Sequence, residues 1–216
     1  MHFKSGMAIT NLTRTNIPQT VSKVARQNID ATFSMPEFVL FRKTVHGDKS
    51  IAKCDMNRAI AEEISSKGVT TVYTDGLAGC NAINVIAKLN NNRFLSVLSH
   101  FAPIYVNEQI ATISKLLKAN ASRINKNYEP RVFMNLRGVD KGNGLEVIPN
   151  PIIAKMQEML ANLFPQGVKT DITPYQLFKR PAFFSSANVY QFDPKRISTL
   201  KITNVGEQEK FIDLNI

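Results

Sequence analysis

Short apolar runs broken by turn-forming residues dominate the chain, and they predict a protein built mainly from strands. Residues 38–41 (Phe-Val-Leu-Phe) read as a strand, and a turn follows at His46-Gly47-Asp48. Asp55 is placed to cap a helix running to Lys67, with Gly68 as its stop. Residues 69–73 form a β-branched strand. After a turn from Gly76 to Gly79, two apolar segments, 82–89 and 94–101, flank Asn90-Asn91-Asn92 in the manner of a β-hairpin. Ile110, Ile113, Leu117 and Ile124 recur at helical spacing between residues 107 and 125, and 131–136 reads as another strand. Ile152, Ile153, Met156, Met159, Leu160 and Leu163 make one apolar stripe after Pro149 and Pro151, which predicts a helix ending before Pro165 and Gly167. Segments near 168–172, 182–192 and 196–204 read as extended. The order lacks a regular βαβ alternation and predicts an α+β sandwich.

Composition narrows this picture. Residues 1–30 are rich in Ser, Thr, Asn and Gln, with no acidic residue before Asp30, so they read as a polar, loosely ordered segment ahead of a single catalytic domain over 31–216. That segment suits either a simple tail or the leader of a non-classical bacterial secretion system. Lys and Arg number 27 against 17 Asp and Glu, a formal charge of +10 that draws acidic partners at long range. The basic residues are scattered, without interleaved aromatics or a finger motif, so nucleic acid is not the favoured partner. No apolar run approaches the roughly 18–20 residues of a membrane span. A classical secretory signal is not evident either, so a cytoplasmic place of synthesis is expected. Cys54 and Cys80, with His2, His46 and His100, are too few for a disulfide framework or a four-ligand zinc site, and no metal or cofactor is expected.

The chemistry concentrates where Thr74-Asp75-Gly76-Leu77-Ala78-Gly79-Cys80 puts a thiol directly after a tight turn at the start of a strand. Gly76 and Gly79 permit positive φ and close approach, so amides around Cys80 are candidates to face the oxygen of a tetrahedral intermediate. A three-residue Asn90–Asn92 loop sets Leu89 opposite Arg93 and therefore Ala82 opposite His100. Cys80 and Ala82 share a face, so His100 lies diagonally across from Cys80. An adjacent imidazolium would lower the thiol pKa and generate a thiolate, making Cys80 a candidate nucleophile and His100 its base. A two-residue loop or one bulge would send the two side chains to opposite faces. The competing reading is a buried small thiol and a satisfied strand-end histidine. Cys54 with His46 is a rival pair that lacks a glycine elbow. Residues 137–144 are glycine-rich but lack the order of a phosphate loop, and read as a turn.

Thr74-x-x-Leu77-x-Gly79-Cys80 followed by His100 resembles the cysteine-dependent protein glutamine deamidases. These include the catalytic domain of cytotoxic necrotizing factor, the Burkholderia lethal factor and the chemoreceptor deamidase. The resemblance covers about 30 residues of the chain. It implies a β-sandwich flanked by helices, with Cys80 as nucleophile, His100 as base and acid, and Thr74 as an orienting or structural group. It also implies a bacterial toxin or effector acting on a glutamine of a host protein. A cysteine protease, a transglutaminase-like acyltransferase and a non-enzymatic basic binding module are the alternatives.

Overall fold

The computed structural model describes residues 49–65, 69–77, 79–142, 144–147, 150–175, 188–192, 199–204 and 210–213. In chain order the elements are β1 (Ile51–Lys53), β2 (Arg58–Ile64), β3 (Thr71–Thr74), β4 (Asn81–Lys88), β5 (Phe94–Phe101) and a 3₁₀ turn (Pro103–Tyr105). Helix α1 (Val106–Ala119), β6 (Arg131–Asp140), β7 (Leu145–Val147), helix α2 (Pro151–Leu163) and β8 (Lys169–Tyr175) follow. β9 (Asn188–Phe192), β10 (Thr199–Asn204) and β11 (Lys210–Asp213) complete the order. The architecture is mixed α+β. One sheet runs β2-β5-β4-β6-β7, with β8 parallel to β6, and a second runs β1-β3-β9-β10-β11.

β4 is buried along nearly its whole length because both faces of its sheet are covered. Ile83, Val85 and Ala87 point to one side, where Ile110, Ile113 and Leu117 of α1 and Ile152, Met156 and Leu160 of α2 pack on them. These are the two apolar stripes read from the sequence. Ile86 faces the other way, against Leu98, Phe133 and Val72 of β3. Ala82 shares that face with Leu77, Cys80 and Tyr175 at the end of the strand. No helix among the described residues is long and apolar enough to cross a membrane.

The β4–β5 hairpin fixes the register on which the site depends. Leu89 N–H donates to the Arg93 carbonyl at 2.8 Å, and Asn92 N–H donates to the Leu89 carbonyl at 3.0 Å. Asn92 takes φ 60, the left-handed conformation that closes a three-residue loop and that Asn adopts more readily than most residues. Ala82 consequently stands opposite His100.

Three sequence expectations change. The helix over 55–67 is instead the strand β2, paired along its length with β5 from Arg58↔His100 to Ile64↔Phe94. Ala and Glu favour a helix here by only a few tenths of a kcal/mol per residue. Covering the free edge of β5, together with Glu63 pairing with Arg93 and Arg123, outweighs that preference. Asp55 caps no helix; its carbonyl accepts the Arg58 N–H across a turn in which Asn57 is left-handed. The helix read between 107 and 125 ends at Ala119, where the Asn120 N–H donates to the Leu117 carbonyl and the Ala121 N–H to the Lys118 carbonyl. The chain then turns so that Ile124 bridges Leu89. Residues 137–140, read as part of a turn, continue β6 and pair with β7 and β8. Gly138 lets them close, because a Cβ there would lie 2.9 Å from Pro174 Cβ and 3.0 Å from the Glu146 carbonyl oxygen.

The segment near 168–172 is β8, and the later extended segments contain β9 and β10. The strand at 38–41, the turn at 46–48 and the polar segment 1–30 lie outside the described residues.

Candidate functional site

The site forms where β3 and β4 meet the end of β5. Gly76 and Gly79 take φ 80 and 90, conformations that a residue with a Cβ rarely adopts, and Leu77 between them is fully buried. The turn therefore delivers Cys80 to the head of β4, on the same face as Ala82. Tyr175, at the end of β8, holds the turn in place. Its buried hydroxyl donates to the Cys80 carbonyl and accepts the Gly79 N–H at 3.1 Å. Burial pushes the Tyr175 pKa well above the usual phenol value, so it stays a neutral donor.

Thr74, at the end of β3, is fully buried, and its hydroxyl has two partners, both at 2.8 Å. One is the Cys54 carbonyl oxygen, an acceptor, which takes the single hydroxyl proton. The other is His100 Nδ1, which must therefore be the donor. This fixes the tautomer: Nδ1 carries the proton, and Nε2 is left with its lone pair. Nε2 is buried and has no hydrogen-bond partner. Diagonal neighbours on one face stand about 7–8 Å apart at Cα, so the register sets Cys80 and His100 within side-chain reach across Ala82.

Sγ and Nε2 are not hydrogen-bonded to each other in this structure. The thiol lies 3.8 Å from Sδ of Met56, a side chain 57% exposed that covers an otherwise nearly buried sulfur. Burial raises the Cys80 pKa, and burial is also the largest influence on His100, lowering its pKa against the partial opposition of Asp75. The resting pair is thus a neutral thiol and a neutral imidazole rather than the thiolate and imidazolium expected from sequence. Desolvation penalises both charged forms, so a stored thiolate–imidazolium pair is disfavoured here.

The rival pair does not form a comparable site. The Cys54 thiol is fully buried and points at the Arg58 and Leu98 carbonyls, each 3.3 Å away. Burial pushes its pKa up to about 12, and its own carbonyl anchors Thr74. This is a structural cysteine; His46 lies outside the described residues. Among the described residues no group of three His, Cys, Asp or Glu is placed to hold a metal ion.

The structure thus joins Thr74 directly to His100, brings Cys80 onto the face of Ala82 with no hydrogen bond to either of them, and gives both predicted glycines positive φ in the turn. The Gly79 amide is already engaged by the Leu77 carbonyl at 2.9 Å and by Tyr175, so it serves the shape of the elbow first. Met56 and Tyr175 carry no local sequence signal, because each reaches Cys80 from a distant strand or turn.

Thr74→Val keeps the shape but removes the acceptor for Nδ1–H. Leaving that buried donor unpaired costs about 1–3 kcal/mol, so Cys80-dependent turnover should fall about 10- to 100-fold. Thr74→Ser should restore most of it. Steady-state kinetics of the two variants, with thermal unfolding alongside, separate this from a general loss of folding.

Protein-family models and curated proteins were both compared with the chain, and none of either matches it.

Proposed function

We propose that this chain is a protein glutamine deamidase of the deamidase-like β-sandwich class, converting a glutamine of a partner protein to glutamate. The observation that carries the reading is the Thr74–His100 hydrogen bond, 2.8 Å long, in register with a glycine-elbow thiol. It supports the role that the sequence resemblance implies for each of the three residues.

In this mechanism Nε2 of His100 takes the thiol proton as Sγ attacks the glutamine carboxamide carbon. The carbon–sulfur bond forms and the carbonyl electron pair moves to oxygen. Collapse breaks the carbon–nitrogen bond, and Nε2–H protonates the leaving group, which departs as ammonia. Water activated by the same Nε2 then hydrolyses the thioester, returning the thiol and leaving a carboxylate. No metal or cofactor takes part. Met56 must swing aside for the carboxamide to reach Sγ.

The partner in this proposal is a host protein with an acidic surface, attracted by the net charge of +10. The enzyme is made in the cytoplasm and leaves by a non-classical route as a toxin or effector. One neutral amide becomes a negative charge, enough to repel a phosphate or disable a catalytic water in the target.

Purified protein incubated with a glutamine-rich protein such as casein should release ammonia, with a mass gain of about 1 Da at modified glutamines. Peptide cleavage would instead indicate a protease, and amine incorporation a transglutaminase-like enzyme. Either result without deamidation overturns the proposal.

A further inference from the structure

A tetrahedral intermediate needs donors for its oxygen, and the Gly79 amide is engaged by Leu77 and Tyr175. The same strand register that sets His100 on one side of Cys80 sets another polar group on the other side. Ala82 of β4 faces His100 across β5 and Asn135 across β6. Residues directly opposite in antiparallel strands share a face, so His100, Ala82 and Asn135 form one row. Cys80 precedes Ala82 by two positions on that face, which makes Asn135 its diagonal neighbour across β6, as His100 is across β5. Ala82 between them has a small side chain, packed with Leu77, Cys80 and Tyr175. Asn135 is 3% exposed, and on this face it joins the buried polar side chains of His100, Asn84 and Ser96. Arg137, the next residue of β6 on this face, is exposed.

We infer that the Asn135 side-chain amide donates a hydrogen bond to the carbonyl oxygen of the substrate as Sγ attacks. This rests on the reading of Cys80 as a nucleophile given above. Diagonal neighbours at about 7–8 Å are too far apart for a short amide to bond to the sulfur itself. A carbonyl group bonded to sulfur would instead extend across Ala82 toward the amide. In the step, the carbon–sulfur bond forms, the π pair moves to oxygen, and Asn135 Nδ2–H stabilises the resulting negative charge without giving up its proton. His100 and Asn135 thus divide the work: one moves protons on the nitrogen side, and the other holds the oxygen.

The test uses an acetylated tripeptide amide, Gly–glutamate γ-semialdehyde–Gly, whose aldehyde forms a thiohemiacetal with a thiol and presents the tetrahedral oxygen directly. Alkylation of Cys80 by iodoacetamide, which forms no such oxygen, is measured in parallel. Asn135→Ala should weaken the aldehyde adduct about 100-fold, in line with the loss of one oxyanion donor, while the alkylation rate stays within about twofold. Asn135→Leu, closer in volume, gives the same reading if the alanine variant folds poorly. Equal adduct affinity in wild type and variant, equal losses in adduct and alkylation, or no adduct in wild type would each overturn the inference. An adduct that depends on Asn135, in a protein that converts no glutamine, would sustain the donor and refute the deamidase instead.

Discussion

Under the proposed deamidase mechanism, Cys80→Ala should abolish glutamine conversion, lowering turnover by at least about four orders of magnitude, because the reaction passes through a bond to the sulfur. Cys54 does not substitute: it is fully buried, its pKa is pushed to about 12, and its thiol is occupied by carbonyls on β2 and β5. The fold should survive the change. Cys80 sits at the end of the core beside Leu77, Ala82 and Tyr175, and the elbow is held through its backbone carbonyl by Tyr175 rather than through the thiol. Ammonia release and circular dichroism on the same preparation check both halves. A variant that remains folded and active would remove Cys80 from the mechanism.

His100→Ala comes second, with a loss of about two to four orders of magnitude in kcat, the usual contribution of a positioned general base. Its pH dependence distinguishes the neutral pair described here from a stored ion pair. The His100 pKa is lowered by burial, so the base is protonated only as the pH falls below its ordinary value of about 6.5. Wild-type kcat/KM should therefore hold from neutral pH downward and decline only on the acid side of that value. The Cys80 pKa is raised by burial, so iodoacetamide alkylation should keep climbing past about pH 8.5, the ordinary thiol value. A plateau of alkylation at acid pH would mean a standing thiolate and would contradict the neutral pair.

Much of the site was legible in the sequence because a local feature fixes it. Three asparagines between two apolar runs demand a short loop, Asn92 can adopt φ 60, and the opposition of Ala82 and His100 follows from counting. Gly76 and Gly79 similarly announced a turn whose positive φ values the structure displays. The ionisation of the pair was not legible, since burial of Cys80 and His100 is decided by strands far away in the chain. The same holds for Met56, Tyr175 and Asn135, which reach the thiol or its face only through tertiary pairing. At 58–64 local preference misled: Arg-Ala-Ile-Ala-Glu-Glu-Ile suits a helix by composition, but β5 needed a partner along its edge. The two amphipathic helices held, because a stripe facing a sheet satisfies local and global demands together.

The basic character of the chain bears on encounter rather than on chemistry. A formal net charge of +10 would speed association with an acidic partner in a salt-dependent way, whereas Cys80 and His100 are buried and little screened. Rising ionic strength should therefore act on KM more than on kcat.

In the proposed reaction the sulfur of Cys80 attacks a glutamine carboxamide and water completes the conversion. Running the conversion in H₂¹⁸O reads this directly. One solvent oxygen entering the new carboxylate gives a gain of about 3 Da at each modified glutamine, dependent on Cys80. No gain at any glutamine, or one that persists in Cys80→Ala, would contradict the account.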